Sequence, residues 1–144
     1  MEEVKIALQL ERDGYAYYMK AAALCPNEYG KKMFEKLAKD EIEHLNTFRR
    51  LAEEIFGKIE EKEGKHLTKA GEYVALHHAI KFEERAKKFF EEAARKATDR
   101  RAKELFEKIA KEEEMHKELL EAELGYLQKS GIWFDYQEFR MDGM

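Results

Sequence analysis

A twelve-residue segment of this chain occurs twice. Met33-Phe-Glu-Lys-Leu-Ala-Lys-Asp-Glu-Ile-Glu-His44 aligns with Leu105-Phe-Glu-Lys-Ile-Ala-Lys-Glu-Glu-Glu-Met-His116 at an offset of 72 positions (116 − 44). At the same offset Ala7 meets Ala79, Glu11 meets Glu83, Gly14 meets Ala86, Tyr18 meets Phe90 and Asn27 meets Asp99. Around each of these positions apolar residues recur three and four apart, the spacing of one face of an α-helix. Two copies of a long-helix hairpin are too few for a solenoid array. The chain is expected to be all-α, with the hairpins packed face to face.

Local signals place the helix ends. The first helix runs from about Glu2 to Leu24, because the residue before Pro26 is pushed out of the α region. Asn27 caps the second, which continues to about Phe56 with Gly57 as its stop. Thr68 caps a third through about Lys96, and Asp99 a fourth that ends near Leu124-Gly125. These helices form one domain over residues 1–127. Residues 128–144 form an aromatic tail, too apolar to hang free, that is expected to dock on the bundle or on a partner chain.

Composition narrows the function classes. Charged residues make up 40% of the 144 and the apolar set 44%, with a single proline. The net charge of −4 arises from interspersed Lys and Glu. There is no basic patch for nucleic acid and no apolar run long enough to span a bilayer. The start lacks the basic and apolar regions of a signal peptide. One cysteine, Cys25, rules out an internal disulfide and a cysteine-based cluster, and suits a reducing cytoplasm.

Six residues stand out by their position. Glu11 interrupts an apolar stripe of Val4, Ala7, Leu8, Tyr15 and Tyr18. Glu83 does the same among Leu76, Ala79, Ile80, Ala86 and Phe90, whereas Glu84 faces lysines. Glu41 and His44 lie on the stripe of Phe34, Leu37, Leu45 and Phe48; Glu113 and His116 lie on that of Phe106, Ile109 and Leu120. Four carboxylates aimed into one interior cost several kcal/mol each and repel one another unless something positive compensates. Two divalent cations balance four Glu. In Glu-x-x-His both side chains share a helix face, so one ion can take both. Carboxylate with imidazole suits iron first, with manganese or zinc as alternatives. A lone Glu-x-x-His on a Glu-rich helix would mean little; two of them in register with two stripe-centred Glu mean much more. His66, His77 and His78 have no such frame, and Cys25 reads as an incidental thiol.

With these motifs the chain resembles the rubrerythrin-like branch of the ferritin-like superfamily. The likeness covers about residues 2–127. It rests on Ala7-x-x-x-Glu11-x-x-Gly14-x-x-x-Tyr18, Asp40-Glu41-x-x-His44, Ala79-x-x-x-Glu83 and Glu113-x-x-His116. It implies a ferritin-like antiparallel four-helix bundle made of two hairpins joined by a crossover. Glu41 and Glu113 would bridge or chelate the metals, Glu11 and Glu83 would be terminal, and His44 and His116 would each bind one ion.

Two departures from the family pattern matter. A single cysteine cannot build the rubredoxin-like iron site of rubrerythrins proper, so electrons would come from an external donor, rubredoxin-like or other. The redox-switching carboxylate expected three positions after the third-helix ligand is replaced by Ala86, and its counterpart is Gly14.

The resulting expectation is a dinuclear, diiron-type oxidoreductase that reduces peroxide or dioxygen in oxidative-stress defence. Tyr18 and Tyr15, within two turns of Glu11, are candidates to assist. The alternatives are a ferroxidase or iron-storage protein, manganese catalase-like chemistry, or a structural di-metal bundle. A homodimer is expected. Residues 58–67 reach about 35 Å at full extension, against ~45 Å for a thirty-residue helix, so exchange of hairpins between chains is an open option.

Overall fold

The computed structural model describes residues 2–58 and 71–138. Four helices make the bundle: α1 Glu2–Leu24, α2 Glu28–Phe56, α3 Glu72–Lys96 and α4 Arg100–Ser130. A short 3-10 turn, Tyr136–Glu138, follows. The caps act as their sequence suggests. Asn27 accepts from the amides of Tyr29 and Gly30, and Asp99 from that of Ala102, which satisfies otherwise orphaned first-turn donors. Thr68, His66 and the crossover, with any exchange of hairpins, lie outside the described residues.

Two boundaries differ. α3 starts at Glu72 with Gly71 as its N-cap and no side-chain cap bond, so Thr68 does not cap it. α4 does not stop at Gly125 but runs to Ser130 and closes on Gly131, whose φ of 75° is left-handed. A mid-helix glycine costs about 1 kcal/mol. Burial of Leu127 beyond it, with Leu124 packed on the same cluster, outweighs that cost.

Short connections make α1–α2 and α3–α4 antiparallel hairpins, which pack closely. The hairpins also oppose each other antiparallel. Tyr17 donates to the carbonyl of Ala75, while Val4 shares a cleft with Ala93. Across α2 and α4, Asp40 meets His116 and Phe48 meets Phe106. Copies related by 72 positions thus exchange roles about an approximate two-fold axis normal to the helices. The apolar core lies in two clusters. One includes Tyr18, Phe34, Leu37, Leu76 and Leu120; the other includes Leu8, Leu45, Phe48, Phe90 and Ile109. Tyr17 of α1 and Phe82 and Phe89 of α3 also pack against these clusters, while Ile6 of α1 stays exposed.

The chain after α4 returns to the bundle. Trp133 is buried and packs edge-on against Phe34. Gly30 makes this possible: a Cβ there would stand 2.6 Å from Cys25 Sγ and 2.9 Å from the Trp133 ring. Glu123, fully buried on α4, accepts from the Phe134 amide and fixes the start of the tail. Burial, with Asp135 adding to it, pushes the Glu123 carboxyl up to about 7, against the pull of that amide.

Two outcomes follow from this packing. Gly30→Ala should destabilise the fold by about 1–3 kcal/mol in denaturant titration, since neither Cys25 nor the indole has space to retreat. Because its pKa is raised on folding, Glu123 makes stability fall as pH rises from the ordinary carboxylate range to about 7. Glu123→Gln keeps the acceptor and removes the charge. It should match wild type near pH 5 and exceed its Tm by about 3–5 °C above pH 8, a shift of ~1 kcal/mol in a domain of this size. Equal melting profiles for the two proteins at both pH values would contradict it.

Candidate metal centre

The two apolar clusters leave a polar layer between them. It holds Glu11 from α1, Glu41 and His44 from α2, Glu83 from α3, and Glu113 and His116 from α4. The four carboxylates are 0–1% exposed, and the histidines 8% and 5%. By contrast the Glu84 side chain is 46% exposed and lies near Lys117, so a single step along the helix separates interior from surface. All six residues singled out by their stripe positions meet here.

Their donor atoms fall into two overlapping groups. Glu11, Glu41, His44 and Glu113 offer atoms all within 4.8 Å of one another, and so do Glu41, Glu83, Glu113 and His116. Glu41 and Glu113 belong to both. His44 Nδ1 lies 3.4 Å from Glu11 and 3.5 Å from Glu113; His116 Nδ1 lies 3.2 Å from Glu41 and 3.3 Å from Glu83. Each ring turns Nδ1 inward and Nε2 outward to a further carboxylate. His116 Nε2 sits 2.9 Å from Asp40, and His44 Nε2 contacts Glu112. An outer carboxylate of this kind fixes the ring and its tautomer, as around metal-bound histidines.

The fit to cations shows in what is left unpartnered. Both oxygens of Glu11 and of Glu113, one each of Glu41 and Glu83, and both inward Nδ1 atoms have no hydrogen-bond partner. Buried polar groups are rarely left so. These eight atoms are hard oxygens and imidazole nitrogens, the donor set of a carboxylate-bound di-metal site.

Electrostatics without an ion point the same way. Burial, then the charge of Glu113, raises Glu11 and Glu83 well above the usual carboxylate range. Glu41 is raised by burial and by Glu11. For Glu113 burial also opposes ionisation, but His44 first, then Glu83, His116 and Glu41, hold it low. Burial disfavours charged imidazole, yet Glu113 raises His44, and Glu83 with Asp40 raises His116. Protons here compensate charge that two cations would otherwise balance.

The two halves are not identical. Tyr18, fully buried, donates to Glu83, a residue of the other hairpin. Its counterpart by the internal repeat is Phe90, which can donate nothing to Glu11. Tyr15 is half-buried and packs in the apolar cluster. Gly14 abuts Glu41: a Cβ would stand 2.8 Å from its Oε2. His77 and His78 are exposed.

Asp40 was visible in sequence only as part of a motif, and Glu112 and Glu123 were missed. The signal for Glu112 was its place 72 positions after Asp40. Glu123 lies on the stripe of His116, Leu120 and Leu127.

No curated protein matches the chain in sequence. A solved structure of a hypothetical protein from Pyrococcus furiosus superposes with a TM-score of 0.79 over 89% of each chain, at 23% identity, a likeness of fold. Among the described residues no helix is long and apolar enough to cross a membrane. The family model for Rubrerythrin matches residues 2–124. With its ferritin-like bundle and a buried carboxylate–histidine layer compatible with a di-metal site, the chain belongs to the Rubrerythrin family.

Proposed function

We propose that this protein is a diiron oxidoreductase that reduces peroxide or dioxygen. The observation that carries the reading is the pair of buried donor groups that share Glu41 and Glu113 and leave eight donor atoms unpartnered. On this reading Glu41 and Glu113, common to both donor groups, would be shared by two ions, with Glu11 and His44 completing one position and Glu83 and His116 the other. A ferrous pair held there would supply two electrons, enough with two protons to take peroxide to water or dioxygen to peroxide.

The chain's own residues set the conditions for that chemistry. The apolar clusters above and below the layer keep bulk water out. Asp40 and Glu112 orient the histidines. Tyr18 holds a phenolic proton on Glu83, a donor that the other half of the layer lacks because Phe90 stands at the matching position. Gly14 lets the Glu41 carboxylate lie against α1, where a Cβ would stand 2.8 Å from its Oε2 and force it to shift. Electrons for a further cycle come from a separate donor, since the single cysteine builds no cysteine-ligated iron site.

Anaerobic loading with ferrous iron should reach two ions per chain, and peroxide should then oxidise both; loaded iron that stays ferrous would overturn the redox reading. Loading should also expel protons, because Glu11, Glu41 and Glu83 carry raised pKa values and both histidines are raised as well. Apparent affinity should therefore fall as pH is lowered, by more than about tenfold per pH unit if more than one proton is displaced per ion. Titration of zinc or cobalt in weakly buffered indicator solution measures the protons directly.

A further inference from the structure

We propose that divalent cations enter the buried layer through the cleft between α2 and α4, received first by Asp40 and Glu112 and then passed to the histidines beneath. The inference rests on the metal-centre reading above and adds a route to it. The four inner carboxylates are sealed at 0–1% exposure, with apolar clusters on either side. The histidines are the members of the layer nearest the surface. Their outer carboxylates are nearer still, with side chains 19% exposed for Asp40 and 31% for Glu112.

A cleft of about 530 Å³ opens at this point. Asp40, Glu43, Glu112 and His116 line it, with Lys36 on one rim and Tyr136 of the returning tail on the other. Two further clefts miss the layer. One, between Val4, Phe48 and Ala93, is apolar and reaches none of the six residues. The other lies along α3 and α4, sets four cations, Lys87, Arg95, Lys103 and Lys111, against Glu91, Glu107 and Glu114, and also touches none of them.

The chemistry of the α2–α4 cleft suits a hard cation. Three carboxylates face one ammonium, and oxygen donors are what such ions prefer on leaving water. Lys36 pairs with Asp40 at the mouth, so an ammonium already occupies that carboxylate and an entering ion must displace it. Beneath, His116 offers Nε2 towards Asp40 and Nδ1 towards Glu41 and Glu83, so that ring separates the mouth from the layer. A rotation of that imidazole suffices to admit an ion from the Asp40 side to the Glu83 side.

The test separates the rate of loading from its extent. Cobalt(II) uptake by apoprotein is followed by stopped-flow absorbance, and final cobalt per chain by metal analysis. Glu43→Gln, at an exposed position, should slow uptake and Lys36→Gln should speed it, each by about two- to fivefold at low salt. Met115→Trp, which fills the cleft, should slow uptake about tenfold or more. All three should still reach two ions per chain. Glu107→Gln, on the α3–α4 cleft, should load at the wild-type rate.

Equal rates for all four variants, or equal slowing by Glu43→Gln and Glu107→Gln, would overturn the route and leave the metal centre standing. A wild-type chain that takes up no cobalt would overturn the metal centre and the route with it. Slowing by Glu43→Gln and Met115→Trp, faster uptake by Lys36→Gln and an unchanged rate for Glu107→Gln, all at unchanged stoichiometry, establish the route.

Discussion

Four carboxylates in the dry centre of a helix bundle are the constraint around which everything else in this protein is arranged. Each alone is costly to bury, and together they repel. Their presence at 0–1% exposure means that the fold is stabilised elsewhere, by the apolar clusters on either side of the layer. In the absence of cations, protons and the two imidazoles carry the compensation, as the raised carboxyls of Glu11, Glu41 and Glu83 and the raised histidines indicate. Glu113 alone stays readily ionised, because His44 and His116 both lie close to it. The polar layer thus holds protons where a di-metal site would hold cations, within an otherwise ordinary core.

The internal repeat makes that site two-fold in plan, and three features break the symmetry. Tyr18 donates to Glu83, while its counterpart Phe90 offers Glu11 nothing. Gly14 leaves room beside Glu41 where the other copy has Ala86. The tail docks on one side only, through Trp133 and the Glu123–Phe134 hydrogen bond, and supplies Tyr136 to one wall of the α2–α4 cleft. Each departure falls beside a donor residue or on the way to one. A duplicated frame supplies two matching donor groups, and these residues make them unequal in hydrogen bonding, packing and surroundings.

Much of this could be read along the chain. The helix ends at Leu24, Phe56 and Lys96 follow from local signals: Pro26, Asn27, Gly57 and Asp99. The misplaced ends, the start of α3 at Glu72 and the end of α4 beyond Gly125, show the limit of such signals. A glycine mid-helix costs about 1 kcal/mol, and a buried leucine further along can outweigh it, but only the packing of Leu124 and Leu127 shows that it does. The six donor residues were legible because a periodic stripe fixes which side chains point inward, and a constant offset of 72 positions makes coincidence hard to sustain.

What the sequence determined by itself is the pair of helical hairpins, their inward-facing stripes and the acids and histidines on them. Helical periodicity is a property of neighbours three and four apart, so it can be read without knowing the fold. What only the tertiary structure decided is who meets whom across the bundle. The phenol of Tyr18 lies on Glu83 and not on nearby Glu11, each outer carboxylate serves the histidine of the opposite hairpin, and Glu123 anchors the tail. Those contacts join residues 11 to 76 positions apart. They depend on the antiparallel apposition of the two hairpins and on the return of the tail, which no local pattern encodes.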